Sequence, residues 1–545
     1  MNNDNNNNSL DYDYVIVGSG FGGSVSALRL AEKGYKVAVI EQGKWYHGDD
    51  FAKSNWDLKR WLWMPKLRLT GIMQLSFLKH VNALSGVGVG GGSLVYASTL
   101  PIPKTPFFES GSWAKLNDWE TALAPHYKTA YKMLGTNENP SLHAADLALQ
   151  KVAARNNKQH EFHHTKVAVY FGKPGETVKD PYFDGKGPDR TGCIHCGACM
   201  TGCRHNAKNT LDKNYLHLAQ QLGAVIKAET KVIDVKPLPE KSAANDRLGS
   251  QGYVISVKSS TKLFSKTTTI TAKGVIFSAG VMGTVPLLQK LKANGSLSRL
   301  SNQLGKQIRT NNESLISVTS LDKEADYSKG LAIGSILHPD DDSHLEVCRY
   351  SAGSGFWRLL MVPRVSIPGK SLIKRLGILI GYYLKNPKKG FKLHTVDDWA
   401  KRTTVLLFMQ HLDSTLQFKR GWFGGIKTEV TAGDEAPTAH LPVANKLAKQ
   451  YEEEVNGVAT SLLHESLKGV PGTAHILGGA VMGKDDSQGV IDRNNRVFGY
   501  CDMLVCDGSM ISANPGVNPS LSITAISEHA MSQIPPAHEH TAQTA

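Results

Sequence analysis

The 545-residue sequence contains no run of 18 or more apolar residues, about the length that a helix needs to cross a lipid bilayer. Its first residues, MNNDNNNNS, also lack the basic start and the apolar stretch of a secretory signal. From these two absences we expect no transmembrane helix and no secretory leader. We therefore expect a cytoplasmic location, with peripheral contact on the inner membrane surface left open. Residues 1–10 are expected to form a disordered tail, and residues 536–545 a second tail.

Charged residues do not dominate the composition, at 20%, and hydrophobic residues make up 41%. This balance excludes an intrinsically disordered chain and leaves enough apolar material for a large core. Lys and Arg outnumber Asp and Glu, which gives a formal net charge of +14. Such an excess suits a nucleic acid, an anionic membrane or an anionic cofactor. No known nucleic-acid-binding module is present and the basic residues are scattered, so we expect no nucleic-acid partner.

Cysteine is sparse and unevenly placed, because four of the seven residues fall within eleven positions: Cys193, Cys196, Cys199 and Cys203. An odd, clustered set in a chain without a leader argues against a disulfide framework and predicts a metal site on the loop 193–204. The spacing C-x2-C-x2-C-x3-C is that of bacterial ferredoxins, so an iron–sulfur cluster is the favoured ligand. Zinc, and thiols that are free or disulfide-bonded, stay open as alternatives, and Arg204 stands where ferredoxins have proline.

Glycine is abundant, with 52 residues, and its first cluster lies between two short apolar strands. The cluster opens a predicted helix and consists of Gly18, Gly20, Phe21, Gly22 and Gly23. In dinucleotide-binding folds such a turn lets the backbone approach a pyrophosphate, and the helix N-terminus binds the phosphates. The strand after the helix ends at Glu41, whose carboxylate can accept hydrogen bonds from ribose hydroxyls. This arrangement favours FAD or NAD over NADP.

A second glycine-rich loop contains Gly88, Gly90, Gly91, Gly92 and Ser93, and further motifs near the C-terminus begin at His475, Asp507 and Gly516. In this combination the sequence resembles the GMC (glucose–methanol–choline) oxidoreductase family, and most of all its bacterial cholesterol-oxidase-like branch. The resemblance extends from about residue 11 to residue 535. Members of this family bind FAD and mostly oxidise alcohols. Tyr96 is a departure, because cholesterol oxidases proper have Asn after the second glycine loop.

The resemblance implies a mixed α/β fold, in which a Rossmann-like FAD-binding domain carries an inserted antiparallel-sheet substrate domain. The FAD-binding domain would be discontinuous and would comprise residues 11–50, 80–100, 205–315 and 470–535. The substrate-binding or lid domain would comprise residues 51–79, 101–192 and 316–469. Further contacts to FAD are implied for Val232, Ala279, Gly280, Asp507, Gly508, Asn518 and Pro519.

Alcohol oxidation removes a proton from the hydroxyl and a hydride from its carbon, so it needs a base with a pKa near neutrality. By resemblance, His475 is the base or the hydrogen-bond partner of the hydroxyl, and Asn518 orients the same oxygen. Asn518 also stands directly before Pro519, a pattern typical of a helix start. Such a helix would direct the positive end of its dipole at the flavin.

The resemblance implies an apolar, sterol-like alcohol as substrate, with oxygen, a quinone or a carrier protein as electron acceptor. Two alternatives stay open. One is a dehydrogenase of a smaller alcohol or sugar that passes electrons through an iron–sulfur cluster, and the other is a non-catalytic electron-transfer flavoprotein. Residues 357–393 and the Trp-rich residues 56–63 combine apolar with basic side chains. This mixture is typical either of a lid on an anionic membrane or of a core-packing helix with solvated lysines.

Overall fold

The structure of the protein is a computed structural model that describes residues 10–240, 247–422 and 424–539. Most of the two tails expected from the sequence, residues 1–9 and 540–545, lies outside the described residues. Two large sheets with helices packed against them make up the described chain. This arrangement confirms the predicted mixed α/β class, with a partly parallel sheet and a separate antiparallel sheet.

The first large sheet has seven strands and a parallel centre. In spatial order its strands are Val225–Lys227, Val37–Ile40, Tyr12–Val17, Thr268–Phe277, Tyr253–Ser259 and Thr230–Pro237, and Met503–Val505 also pairs with Thr268–Phe277. Tyr253–Ser259 pairs antiparallel with both of its neighbours, Thr268–Phe277 and Thr230–Pro237, and the other pairings are parallel. Parallel strands are buried on both faces, which explains continuous apolar runs such as Val37–Ile40. All seven strands lie in segments that the sequence analysis assigned to the cofactor domain.

Helix Phe21–Glu32 packs between this sheet and the C-terminal helix Ser520–Ser532. A Cβ on Gly22 would overlap the carbonyl oxygen of Cys506, so only glycine allows the helix to approach the C-terminal segment this closely. Farther along the helix, Arg29 forms an ion pair with Glu528, with Nε and Oε2 2.7 Å apart. These contacts join the first and the last parts of the chain.

The second large sheet is antiparallel throughout. In spatial order its strands are Met361–Pro363, Gly457–Leu462, Ser314–Ser320, Thr403–Gln410, Ser343–Cys348, Ile333–Leu337 and Phe162–His164. Successive side chains of a strand face opposite sides of the sheet. Leu345 and Val347 join a hydrophobic core on one side, so His344, Glu346 and Cys348 face the other side. That other side turns toward the first sheet, where Cys348 lines a cavity.

Shorter elements complete the two layers. Met73–Phe77, Asn82–Gly86 and Gly472–Thr473 form a small sheet. Strand pairs are Trp63–Met64 with Leu69–Thr70, Asn137–Glu138 with Lys166–Val167, Thr177–Val178 with Arg190–Thr191, and Leu416–Arg420 with Ile426–Val430. The other α-helices are Leu58–Trp61, Thr105–Glu109, Trp119–Met133, Ala144–Arg155, Tyr215–Gln221, Val281–Ala293, Leu372–Lys385, Pro387–Thr395, Trp399–Arg402, Pro442–Glu454 and Leu463–Lys468.

Helices Leu372–Lys385 and Pro387–Thr395 lie on the protein surface. Within the first of them, Arg375 and Leu379 are the buried residues, whereas Ile373 and Leu384 are 82% and 76% exposed. This pattern does not fit a core-packing helix. In the part of the chain that the structure describes, no helix combines the length and the apolar character needed to span a membrane.

Gly22→Ala is expected to destabilise the protein by about 3 kcal/mol or more, because the added methyl group overlaps backbone that cannot move away. The matched control is Gly377→Ala in the exposed helix Leu372–Lys385, where a Cβ meets no described atom within 4 Å. This control is expected to stabilise the helix by about 0.5–1 kcal/mol. Denaturant unfolding measures both variants, and equal stability of Gly22→Ala and the wild type would contradict the proposed close contact.

Candidate active site

A cavity of about 1130 Å³ lies between the carboxyl ends of the parallel strands and the antiparallel sheet. Ligands of open α/β sheets bind at this end of the strands. Both predicted catalytic residues, His475 and Asn518, line the cavity. The predicted cofactor contacts that line it are Gly18, Gly20, Phe21, Gly22, Glu41, Gly91, Gly92, Val232, Ala279, Gly280, Asp507, Gly508, Asn518 and Pro519. The fold therefore brings residues from both ends of the sequence to one cavity.

The first glycine loop forms one wall of this cavity. Gly18 has a φ of +101°, which residues with side chains rarely adopt, and a Cβ there would overlap the carbonyl of Ser278. The turn places Gly20 at the N-cap of helix Phe21–Glu32. The free N–H groups and the partial positive charge at this end of the helix favour the binding of a phosphate. Gly23 does not line the cavity and instead packs against the Gly18 carbonyl.

Ser19, which no sequence motif singles out, connects the two glycine loops with Glu41. Its backbone N–H and its hydroxyl both donate to Oε2 of Glu41, at 3.1 and 2.7 Å. The hydroxyl also accepts the N–H of Gly90 at 3.1 Å and lies 3.3 Å from the carbonyl of Gly88. Ser93 holds the same loop by donating to the Gly90 carbonyl at 2.7 Å. Gly88, Gly90 and Ser93 therefore shape the second loop and do not line the cavity.

Two buried carboxylates border the cavity. Glu41 follows strand Val37–Ile40 and accepts the N–H of Gly43 at 2.7 Å, and its burial raises its pKa. Asp507 accepts the N–H of Ser509 at 2.8 Å and the hydroxyl of Thr284, and burial raises its pKa as well. Both carboxylates are held by hydrogen bonds at fixed positions on the wall.

These residues fit an FAD molecule. A Cβ on Gly280 would meet no atom of the described residues within 4 Å, so open cavity space lies in front of this backbone. The glycine loops and the helix end offer N–H donors for a pyrophosphate, and Glu41 offers an acceptor for a ribose. The volume also exceeds the roughly 300–1,000 Å³ typical of a single ligand pocket, which leaves room for a substrate beside the cofactor.

His475 is oriented by the buried carboxylate of Glu313. Nδ1 of His475 donates to Oε1 of Glu313, and Oε2 of Glu313 accepts the N–H of Ala474 at 2.8 Å. Burial lowers the pKa of His475, but Glu313 and, after it, Glu346 outweigh this effect, so the pKa lies above its ordinary value. Because Nδ1 is engaged, Nε2 is the ring nitrogen available to a substrate hydroxyl. This nitrogen carries a lone pair whenever the ring is neutral.

Asn518 is held by a second buried carboxylate. Its Nδ2 donates to Oε2 of Glu346 at 3.2 Å, and its buried Oδ1 has no partner within the described residues. The following helix begins at Ser520 with Pro519 as its N-cap, one residue later than the Asn-Pro pattern predicts. The Asn518 side chain thus serves the cavity wall instead of the helix end. Its free oxygen is an acceptor for a ligand group.

Sequence patterns do not reveal Glu313 and Glu346. Glu313 directly precedes strand Ser314–Ser320, and Glu346 lies within Ser343–Cys348. They are 162 and 172 residues away from His475 and Asn518 in the sequence. A charged residue between Leu345 and Val347, inside a buried strand, is the one signal that could have marked Glu346.

The rest of the cavity wall is mostly apolar. Lining side chains from the antiparallel sheet and the adjoining loops include Leu75, Leu315, Ile333, Tyr350, Trp357, Met361, Val405, Leu407 and Leu462. Met64 and Leu67 line the cavity and are also exposed on the surface, so the cavity opens beside them. A large apolar molecule can therefore enter here and reach the two polar catalytic candidates.

The predicted metal site at Cys193, Cys196, Cys199 and Cys203 is not supported by the structure. All four are free thiols, and across the described ranges no group of three or more His, Cys, Asp or Glu side chains is placed to hold a metal ion. The four residues line a cavity of only about 20 Å³. A void of this size holds about one water molecule, far less than an iron–sulfur cluster needs.

Lys208 instead joins the cysteine loop to the second glycine loop. Its ammonium group donates to the backbone carbonyls of Leu94, Tyr96 and Cys199, at 3.0, 2.8 and 2.8 Å. It also lies 4.7 Å from the centre of the Tyr96 ring. Because Lys208 is buried, these three acceptors replace the water that its charge would otherwise bind. Lys208 thereby fixes the cysteine loop against the second glycine loop.

Comparisons with known proteins agree with this geometry. Residues 12–293 and 429–527 match two family models described as GMC oxidoreductase. The chain is 42% identical to a cholesterol oxidase of Acinetobacter baumannii over 97% of this chain and 96% of that protein. It is also 42% identical to a cholesterol oxidase of Mycobacterium tuberculosis over 96% of this chain and 91% of that protein. The chain belongs to the GMC oxidoreductase family.

More distant proteins share the architecture. A long-chain-alcohol oxidase of Arabidopsis thaliana is 24% identical over 94% of this chain and 66% of its own length. The crystal structure of pyridoxine 4-oxidase from Mesorbium loti has a TM-score of 0.60 at 14% identity, and covers 97% of this chain and 99% of its own. This structural similarity confirms the fold.

As a GMC oxidoreductase, the protein is an FAD-dependent enzyme that acts on the CH–OH group of its donors. The comparisons do not favour the alternatives of a cluster-dependent dehydrogenase or a non-catalytic electron-transfer flavoprotein. The roles of His475 and Asn518 stay predictions that their place in the cavity wall makes testable.

Glu313→Gln is expected to move the acidic limb of the kcat/KM profile to lower pH. The reason is that the carboxylate holds the pKa of His475 above its ordinary value, so its removal lets the imidazole lose its proton at lower pH. A pH series of kcat/KM measures the shift, with Glu429→Gln as the control, which removes a half-buried hairpin carboxylate that pairs with Lys419 and Lys427. A limb that stays in place or moves to higher pH would refute the assigned contact.

Proposed function

We propose that the protein oxidises the hydroxyl group of a large apolar, sterol-like alcohol to a carbonyl, with molecular oxygen as the electron acceptor. The observation that carries the proposal is the apolar cavity that adjoins His475 and Asn518. A rigid apolar molecule can fill such a cavity while its single hydroxyl meets the two polar side chains. The two relatives at 42% identity are both named cholesterol oxidases, which supports the same substrate class.

His475 and Asn518 share the substrate oxygen in this proposal. Nε2 of neutral His475 takes the hydroxyl proton, and the imidazolium that forms is stabilised by Glu313. Glu346 occupies one N–H of the Asn518 amide, so the other can donate to the oxygen as it gains negative charge. FAD held by the glycine loops, Glu41 and Asp507 would supply the hydride acceptor, flavin N5. Oxygen would take up the two electrons with two protons and leave as hydrogen peroxide.

His475→Ala and Asn518→Ala are each expected to slow flavin reduction by the substrate alcohol roughly 100-fold or more, because the proton acceptor or the donor to the oxygen is lost. Anaerobic stopped-flow absorbance of the flavin measures this rate. His160→Ala, which changes an exposed histidine outside the cavity, serves as the matched control. Wild-type rates in both active-site variants would exclude these roles.

A substrate panel tests the proposed activity itself. Anaerobic mixing with a 3-hydroxysterol is expected to bleach the flavin. Sugars and short alcohols are expected to leave the flavin oxidised, because they cannot fill the apolar cavity. A long-chain primary alcohol tests the alternative that the distant plant relative suggests. Readmitted oxygen is expected to restore the flavin colour with one hydrogen peroxide per carbonyl formed. Reduction by sugars alone would overturn the substrate class, and reoxidation by quinones alone would overturn the acceptor.

We further propose that the surface helices Leu372–Lys385 and Pro387–Thr395 rest on an anionic membrane on the cytoplasmic side. Ile373, Leu376, Ile380 and Leu384 recur at intervals of three and four residues and are all exposed. Exposed lysines flank this stripe at positions 370, 374, 385, 388, 389 and 392. No Asp or Glu occurs between residues 347 and 396, so the segment carries positive charge throughout. An apolar stripe bordered by lysines is typical of helices that lie in a membrane interface.

This segment is continuous with the cavity wall, which links membrane contact to substrate uptake. Trp357 and Met361 line the cavity shortly before helix Leu372–Lys385. Trp357 packs against Trp61 with ring centroids 5.5 Å apart, next to the exposed cavity residues Met64 and Leu67. A sterol could therefore pass from the lipid into the cavity without crossing water.

The double variant I373D/I380D is expected to abolish flotation of the protein with vesicles that contain anionic phosphatidylglycerol, because two charges enter the apolar stripe. The matched control is L263D/F264D, which changes two apolar residues that are 82% and 90% exposed elsewhere on the surface. Wild type and control are expected to float with anionic but not with neutral vesicles, and less at high salt. Equal flotation of both double variants would contradict the assignment of this surface.

A further inference from the structure

A row of three histidines crosses the antiparallel sheet, starting beside Glu346. His344 lies on strand Ser343–Cys348, His338 directly follows Ile333–Leu337, and His163 lies on Phe162–His164. These three strands are neighbours in the sheet. Ile336 pairs with Glu346 on one side and with His163 on the other, and His338 stands two residues beyond Ile336. The register therefore places all three histidines on the face of the sheet that carries Glu346.

The inner end of the row is hydrogen-bonded to the active site. Nε2 of His344 lies 2.9 Å from Oε1 of Glu346, and the two side chains are only 2% and 0% exposed. The other oxygen of Glu346 holds Asn518. Since a carboxylate accepts, Nε2 of His344 donates to Glu346, and Nδ1 carries a lone pair whenever the ring is neutral. Nδ1 is buried and has no partner among the residues described, so a polar atom is left unused on the side away from Glu346.

The outer end of the row reaches the surface. The ring of His338 packs edge-on against that of His344, with centroids 5.0 Å apart. The ring centroid of His163, which is exposed, lies 6.4 Å from that of His338. A water molecule that hydrogen-bonds both rings would complete the connection. Burial, with the neighbouring His344, Lys104 and His163, lowers the pKa of His338 to about 3. His338 is therefore neutral, and a proton that passes it does not rest there.

The proposed oxidase reaction gives this row a task. The hydroxyl proton leaves the substrate during flavin reduction, and a proton is needed again in the later step, when oxygen becomes hydrogen peroxide. A sterol or its ketone fills the apolar cavity and separates the catalytic groups from water at the mouth. A second connection to solvent, through the sheet, would let a proton reach the site while the cavity is occupied.

We propose that His163, His338 and His344 form a proton route that connects solvent with Glu346 during the reduction of oxygen. A proton arrives at Nδ1 of His344 from the side of His338, and the proton on Nε2 moves to Glu346, which passes it on toward the nascent peroxide. One proton enters at His163 for each proton that leaves Glu346, and no electron moves along the row. The hydroxyl proton that His475 took up is released to solvent when the ketone leaves the cavity, so one proton enters and one proton leaves in each turnover. The proposal rests on oxygen as the acceptor in the proposed function. His344 and His338 are positioning and relay residues, because they do not touch the substrate.

Stopped-flow reoxidation of the holoenzyme tests the route. The flavin is reduced anaerobically with the substrate alcohol and then mixed with oxygenated buffer in H2O or D2O. In His344→Gln the amide still donates to Glu346 but cannot shuttle a proton, and His338→Gln interrupts the row without touching Glu346. Both variants are expected to reoxidise roughly 10-fold more slowly or worse, with a larger solvent isotope effect. Added imidazole is expected to restore part of the rate, and flavin reduction in His338→Gln is expected to match the wild type.

The matched control is His164→Gln, which changes the residue after His163. His164 faces the opposite side of the strand, where its Nδ1 lies 2.7 Å from the carbonyl of Asn139. This control is expected to reoxidise at the wild-type rate. Wild-type reoxidation in both row variants, or a loss that His164→Gln shares and imidazole does not relieve, would overturn the route while alcohol oxidation stands. If the reduced wild type itself does not react with oxygen, the proposed acceptor fails and the route fails with it.

Discussion

The structure depends on one close backbone contact, between Gly22 and the carbonyl of Cys506. It allows helix Phe21–Glu32 to lie against the turn that follows strand Met503–Val505. Asp507 and Gly508 thereby line the same cavity as Gly18. Helix Ser520–Ser532 also packs against helix Phe21–Glu32, where its Glu528 binds Arg29. Gly22 is thus a position at which no side chain fits, next to the C-terminal part of the cavity wall.

The active site also depends on the contact between the two large sheets. His475 and Asn518 belong to segments that pack with the first sheet, whereas Glu313 and Glu346 are carried by the second. Each polar residue on one side is thus oriented by a carboxylate from the other. Because all four are largely buried, any separation of the sheets would leave polar groups without partners, at a cost of about 1–3 kcal/mol each. The catalytic geometry and the docking of the sheets therefore stabilise each other.

Sequence reasoning succeeds where the structure is local and fails where partners are distant. The glycine loops and Glu41 can be placed because a turn, a helix and a strand within about 30 residues determine their geometry. The same reasoning cannot separate glycines that line the cavity, such as Gly20, from Gly88 and Gly90, which only shape a loop. Glu313 carries no local signature at all. The cysteine spacing shows that four thiols follow one another as possible metal ligands. It does not determine how much space the folded loop leaves between the sulfur atoms.

The two buried glutamates solve the same electrostatic problem in different ways. Glu313 is compensated by the ring of His475, which gains basicity from the pairing. Glu346 receives its direct hydrogen bonds from the side chains of His344 and Asn518. A buried carboxylate needs such donors to offset its desolvation, which explains why the Asn518 amide leaves its expected place at the helix start. The requirement to satisfy Glu346 thus sets the orientation of Asn518, the residue proposed to meet the substrate. It also leaves the second ring nitrogen of His344 without a partner among the described residues.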